Sequence, residues 1–262
     1  MQCRPSRAAN GSRSFTRSVR TSIRTAPFAP WNFDQPADPI GRLEFAPLGH
    51  RLQRVPSNLL SAIRSEGLRP ASVNGLAGRL VAVDELLGRV PDLARIVSRS
   101  VRAIHPLAAE PGYDVSHSQP RWRARIFVSF PERQDETGEL RLAESVVHEA
   151  MHLHLTNQES RIAFVARTTD TFYSPWMGTT RPVQGVLHGL FVFHCISAFL
   201  LRVTENHPLT DNASRYLRKR LADIRQEIFE VDMVGLEGAL TPHGVAQMQL
   251  WTSATPLHRG SP

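Results

Sequence analysis

The stretch that most constrains this chain is Glu139 to Leu155, a run without proline or glycine that contains His148-Glu149-Ala150-Met151-His152. Leu142, Val146, Val147, Met151 and Leu155 recur at helical spacing, so the run predicts an amphipathic helix whose apolar stripe must be buried. Residues four apart on a helix stand about 40° apart around the axis, so the imidazoles of His148 and His152 can reach one metal ion. Glu149 is rotated by about 100° from His148. It therefore points toward a metal-bound water rather than the metal, the position of the general base in zincins.

Two histidines leave a metal site incomplete, and imidazole suits zinc and non-haem iron alike. The downstream candidates for a third ligand are His154, Glu159, Asp170, His188, His194 and Glu205. His154 stands about 200° round the helix from His152 and faces away. His188 is the first choice, because it sits near the start of the next apolar stretch with Gly185 and Gly189 on either side. Its plain alternative is a buried histidine satisfied by a hydrogen bond. His194, about 240° further round, cannot serve the same ion from the same helix. Glu144, one turn before His148, is either a partner that orients His148 or an exposed first-turn glutamate favoured by the helix dipole. The metzincin extension fails, since Leu155 and Gln158 occupy its glycine and third-histidine positions. Glu205 is available for a gluzincin arrangement, without a supporting local pattern.

The net charge of +7 suggests a nucleic-acid partner until it is located. Arg4, Arg7, Arg13, Arg17, Arg20 and Arg24 all precede the first acidic residue, Asp34. Removing those six from the 31 basic residues leaves 25 against 24 acidic ones. The body is thus near neutral, and no nucleic-acid partner is expected. Residues 1–25 read as a disordered basic tail, either dispensable or a presequence. Residues 26–55 form a Pro-rich irregular segment in which Trp31, Phe33 and Phe45 can pack on the domain. Residues 56–255 form a single domain. The longest apolar stretch, Val186 to Leu201, is interrupted by His188 and His194, so no membrane span is expected. Cys3 and Cys195 are the only cysteines, which excludes a disulfide framework and fits a cytoplasmic location.

The fold class predicted is mainly α (α+β), with a small β element preceding the HExxH helix. Helices are predicted at Ser57 to Glu66, as one or two within Val73 to His105 with a break at Pro91, at Val183 to Val203, at Asp211 to Val234 and at Pro242 to Thr252. Tyr113 to Ser118 and Trp122 to Phe130 are rich in β-branched and aromatic residues, and the second alternates, so a strand or hairpin is predicted there. Residues 131–137 read as a turn and 157–182 as a long irregular connection, of the kind that carries function.

Five segments occur in an order that resembles a known family. They are Tyr113-Asp114-Val115-Ser116-His117-Ser118, Ile126-Phe127-Val128-Ser129, Arg141-Leu142-Ala143-Glu144-Ser145 leading into His148-Glu149-Ala150-Met151-His152-Leu153, Tyr173-Ser174-Pro175-Trp176, and Gly185-Val186-Leu187-His188-Gly189. Over roughly residues 110–205 the chain resembles the HExxH-type 2-oxoglutarate-dependent peptide β-hydroxylases of ribosomal peptide natural-product pathways. The resemblance implies an Fe(II) site and hydroxylation of a side-chain β-carbon, with aspartate the expected target, in a precursor peptide. It implies His148 and His152 as metal ligands and matches His188 to a family histidine. Arg181 suits the distal carboxylate of 2-oxoglutarate, which a guanidinium can grip bidentately; a helix-capping loop arginine is its bland counterpart. Tyr173 and Trp176 either wall the pocket or belong to the core, and His117 and Ser118 approach the site from the β element. Under this reading Glu149 either supports the metal site from behind its ligands or orients substrate, rather than acting as a hydrolytic base. The competing expectations are a zinc peptidase with Glu149 as general base, and a non-catalytic, metal-stabilised domain that binds a peptide.

Overall fold

The structure, a computed structural model, describes residues 47–205 and 207–253. The expectations for residues 1–46, including the basic tail and the packing of Trp31, Phe33 and Phe45, lie outside the described residues.

A 3-10 turn at Leu48–Arg51 is followed by α1 (Ser57–Ser65), β1 (Arg69–Pro70), α2 (Ala77–Gly88) and α3 (Pro91–Ser100). Pro91 divides α2 from α3 as expected. Proline at a first helical position forfeits no intrahelical hydrogen bond, so it starts α3 rather than kinking one long helix.

The segment after α3 departs from expectation. Ala103–Ala108 is a strand, β2, where the spacing predicts the end of a helix. Its first five residues are all buried, so the strand faces apolar surroundings on both sides and shows no alternation. β2 pairs in parallel with β4 (Arg125–Ser129), Ile104 opposite Ile126 and Pro106 opposite Val128. β3 (Ser116–His117) lies antiparallel to β4 on its other edge, in the pairing the sequence suggests, and β1 lies antiparallel to β2. The result is a four-stranded sheet in the order β1-β2-β4-β3. Ile126 and Val128 join the main core, whereas Phe127 joins a second cluster with Ile63 of α1, Leu68, Leu107 and Trp122.

The HExxH run lies in α4 (Glu136–Glu159), which begins before the predicted start. The Asp135 carboxylate caps it by accepting from the Gly138 amide at 3.0 Å. Gly138 is required by close approach: a Cβ there would stand 2.0 Å from the Arg133 carbonyl oxygen. Leu142, Val146, Val147, Met151 and Leu155, the predicted apolar stripe, are fully buried.

The expected irregular connection contains a hairpin, β5 (Thr171–Ser174) and β6 (Thr179–Pro182), whose turn uses Gly178 at φ 65°. This turn conformation is one glycine adopts at little cost. α5 (Val183–Val203) follows at once. By length and composition α5 passes as a membrane span, yet 89% of its most apolar window is buried inside the fold. It is therefore the central core helix, packed beside α4. The predicted helix 211–234 divides into α6 (Asp211–Phe229) and α7 (Met233–Gly238), the second capped by Asp232 through the Gly235 amide. α8 (Pro242–Ser253) closes the described chain. The architecture is mainly α with a small sheet, and one apolar core runs from Leu48 to Trp251.

Candidate metal centre

The histidines of α4 meet as their spacing requires. His148 Nε2 and His152 Nε2 stand 3.2 Å apart, with ring centroids 4.9 Å apart and planes at 61°. The two nitrogens converge from an angle rather than head-on. Ligands about 2.1 Å from a shared ion stand a little over 3 Å apart when the angle at the ion is near 100°. The pair therefore fits two positions of one coordination shell. Among the described residues, no group of three or more His, Cys, Asp or Glu is gathered as a ready metal site.

His188, on the second turn of α5, lies beside the pair but addresses its far side. Its Nδ1 is 3.3 Å from His152 Nδ1, and the ring planes are 16° apart with centroids 5.6 Å apart. Nearly coplanar rings at that separation meet edge to edge, nitrogen facing nitrogen. The other His188 nitrogen, Nε2, is 2.8 Å from Glu159 Oε2, which also accepts from Gln184 Nε2 at 3.0 Å. Glu159 is on α4, seven residues beyond His152, and so returns to the same helix face.

The glycines around His188 have specific neighbours. A Cβ at Gly185 would meet the Arg181 guanidinium, with Nε at 3.3 Å. A Cβ at Gly189 would fall 2.1 Å from the Trp176 ring. Gly185 thus seats Arg181 on the first turn of α5, and the Arg181 charge is felt at His152. Gly189 admits Trp176, which also packs on Phe193 with ring centroids 5.4 Å apart. Trp176 is a buried plug, and Tyr173 is half exposed.

Glu149 is buried, and its Oε1 accepts from the Ser116 hydroxyl at 2.6 Å. The same oxygen lies 3.9 Å from His148 Nε2. The contribution from the β element is therefore made by Ser116, whereas His117 turns to the second cluster and meets Trp122 edge-on. Alternation along a strand separates Ser116 from His117; that is the signal in Tyr113-Asp114-Val115-Ser116-His117-Ser118 that could have found it.

Glu144 does not orient His148, nor is it exposed. It accepts from Arg220 Nε and Tyr216 Oη of α6, both at 2.7 Å. Burial works against the Arg220 charge, but Glu144 and Tyr216 outweigh it and hold the guanidinium above its usual value. Arg220 also lies over the Phe193 ring at 5.3 Å, and Phe193 meets His148 edge-on at 5.7 Å. Asp114 is joined to Arg141 Nε at 2.8 Å, and burial raises its carboxyl despite that arginine. These pairs line a cleft of about 360 Å³ whose wall includes Ser116, Ser145 and His148. Sequence reasoning missed Arg220 and Tyr216, because only tertiary packing brings α6 to α4.

Burial pushes the His148 imidazole down to about 3, aided by the Arg220 charge. Burial also holds His152 well below the usual range, with the neighbouring His148 adding to it and Glu149 opposing it. Both rings are therefore neutral at physiological pH, the state a metal ligand needs. His154 turns toward Phe191, with ring centroids 6.4 Å apart, and His194 is fully buried in α5. Glu205 is exposed beyond the end of α5. No protein-family model matches the chain, and no curated protein matches it.

Proposed function

We propose that this chain is an Fe(II)- and 2-oxoglutarate-dependent hydroxylase of a side-chain β-carbon, with aspartate the expected target, in a ribosomally made precursor peptide in the cytoplasm. The observation that carries the reading is the pair of converging nitrogens on His148 and His152, 3.2 Å apart, with His148 on the wall of a polar cleft. The five-segment resemblance and the Arg181 charge beside His152 favour oxygenase chemistry.

The two histidines would hold the ion. When bound there, iron with 2-oxoglutarate and dioxygen would supply the oxidant for inserting one oxygen atom into a substrate C–H bond, with the keto acid converted to succinate and CO₂. Arg181 is suited to the distal carboxylate of the keto acid, since a guanidinium offers paired donors. Glu149, held by Ser116, offers an acceptor for a peptide N–H next to His148. Phe193 packs edge-on against His148, and Trp176 backs Phe193, so the core side of His148 is apolar. The cleft carries both signs of charge on Asp114, Arg141, Glu144 and Arg220, a lining that suits an extended polar peptide rather than an apolar small molecule.

A zinc peptidase is the second reading, favoured by Glu149 Oε1 at 3.9 Å from His148 Nε2, where it would activate a metal-bound water. Anaerobic reconstitution with Fe(II) and 2-oxoglutarate separates the two. A weak visible charge-transfer band, and succinate formed with a cognate peptide, are expected. Zinc-dependent peptide cleavage that ignores 2-oxoglutarate and disappears in Glu149→Gln would overturn the oxygenase reading.

A further inference from the structure

Glu159, His188 and His152 form a line of hydrogen-bonding groups that leads to the histidine pair from behind. Glu159 Oε2 is 2.8 Å from His188 Nε2, and His188 Nδ1 is 3.3 Å from His152 Nδ1. An ionised carboxylate only accepts, so His188 Nε2 must be the donor. In the neutral imidazole the other nitrogen then carries a lone pair. With a neutral His188 ring, Nδ1 accepts and the proton between the rings belongs to His152 Nδ1. This leaves the His152 Nε2 lone pair, directed at His148 Nε2 only 3.2 Å away.

We propose that Glu159 and His188 are positioning residues that fix the tautomer and ring orientation of His152, so that Nε2 is presented to a metal ion shared with His148. His188 acts through His152 and is not itself a ligand. The inference rests on the metal-centre part of the function proposed above and is indifferent to iron or zinc.

The geometry favours this role in two further ways. All three members are largely buried, with 12% side-chain exposure at both His188 and Glu159, so water is a poor substitute for any link. Glu159 is also fixed from a second side by Gln184, which keeps its carboxylate from swinging toward the ion. Partners of this kind behind a ligating histidine commonly change metal affinity by about 10- to 100-fold.

The test is direct. Imidazole ¹⁵N–¹H correlation spectra of the metal-free wild-type chain report the tautomer, and the proton is expected on His152 Nδ1. A proton on His152 Nε2 would overturn the proposal, and this readout needs neither metal nor a variant. Titration with Co(II) gives the second readout. Two strongly shifted exchangeable imidazole protons are expected, from His148 and His152, and a third from His188 would make it a ligand and sink the relay. His188→Ala and Glu159→Ala are expected to weaken Co(II) binding about 10- to 100-fold. His188→Gln, whose amide oxygen can accept from His152 Nδ1, is expected to recover most of that loss. Binding in His188→Gln no better than in His188→Ala counts against the relay. If Co(II) does not bind the wild-type chain at all, the metal-centre reading fails, while the tautomer measurement still decides the relay.

Discussion

The Ser116 hydroxyl donates to Glu149 Oε1 at 2.6 Å and ties the edge strand β3 to the middle of α4. Glu149 is only 2% exposed, so its carboxylate has little water to turn to. Hydrogen bonds to ionised groups weigh more than neutral ones, and an unsatisfied buried acceptor is costly. Ser116→Ala is therefore expected to lose about 1–3 kcal/mol in urea unfolding, with the m value unchanged. Glu149→Gln removes the charge that makes the bond strong, so the double variant should lose less than the two single losses combined. Strict additivity would show that the contact carries no coupling.

The Glu144–Arg220 pair makes a sharper demand, because both side chains are mostly buried, at 12% and 18% exposure. Removing one partner strands a desolvated charge, and Glu144→Ala is expected to cost about 3 kcal/mol. Glu144→Leu combined with Arg220→Met should recover part of that loss, since no unpaired charge remains. The exposed Arg69–Glu110 pair is the contrast, and Glu110→Ala should have no measurable effect on the unfolding midpoint. A Glu144→Ala variant as stable as Glu110→Ala would refute this account of the cleft wall.

Acid should unfold the metal-free protein earlier than its carboxylates alone require. His148 is held down to about 3 and His152 well below its usual range, and burial is the first cause of each shift. The unfolded chain binds protons at these groups from about pH 6.5 downward, while the folded chain refuses them. Stability is thus fully present above that pH and is lost as pH falls toward the folded values. The slope is about 1.4 kcal/mol per pH unit for each such histidine. Buried His105, also pushed down chiefly by burial, acts in the same direction. Urea midpoints between pH 7 and pH 4 read the effect, and His148→Asn should flatten the curve. An unchanged slope in that variant would remove His148 from the account.

The α4 face was legible in the sequence because its message is local: spacing alone puts His148 and His152 on one side. Glu159 was legible to the extent that it stands among the possible ligands, and its return to the same face makes its position follow from the helix. β2 was hidden because burial on both faces erases the alternation that marks a strand. Ser116 with Glu149, and Arg220 with Glu144, join positions 33 and 76 residues apart. No local pattern records such contacts, since they come into being when β3 and α6 dock on α4. The glycines on either side of His188 are visible in the sequence, but not their neighbours: Arg181 lies against Gly185 and Trp176 against Gly189.

That difference between the two glycines can be measured. A methyl at Gly189 would overlap Trp176, whose ring is enclosed by Phe193 and α5. Gly189→Ala is expected to destabilise by about 1–3 kcal/mol through overpacking and to change Trp176 fluorescence. At Gly185 the nearest atom belongs to the flexible Arg181 side chain, 3.3 Å away. Gly185→Ala should leave the urea midpoint nearly unchanged, because the guanidinium can shift. Equal destabilisation at both positions would mean that Arg181 is as firmly held as Trp176.

Arg181 provides the closing test of the oxygenase reading. Its guanidinium rests on the first turn of α5 and its charge reaches His152, a placement suited to the distal carboxylate of a keto acid bound at the metal. Charge-assisted hydrogen bonds contribute about 1.5–3 kcal/mol, so Arg181→Ala should weaken 2-oxoglutarate binding to the anaerobic Fe(II) protein by roughly 10- to 150-fold. Arg181→Lys keeps the charge but loses the paired donors, and should recover only part of the affinity. Fe(II) affinity should change little in either variant, because on the proposed reading Arg181 would hold the cosubstrate and not the ion. Titration of the visible band with 2-oxoglutarate measures the first effect, and a metal-binding titration measures the second. Wild-type 2-oxoglutarate affinity in Arg181→Ala would assign the carboxylate to another cation. Arg220, which lines the cleft beside His148, would then be the next residue to substitute.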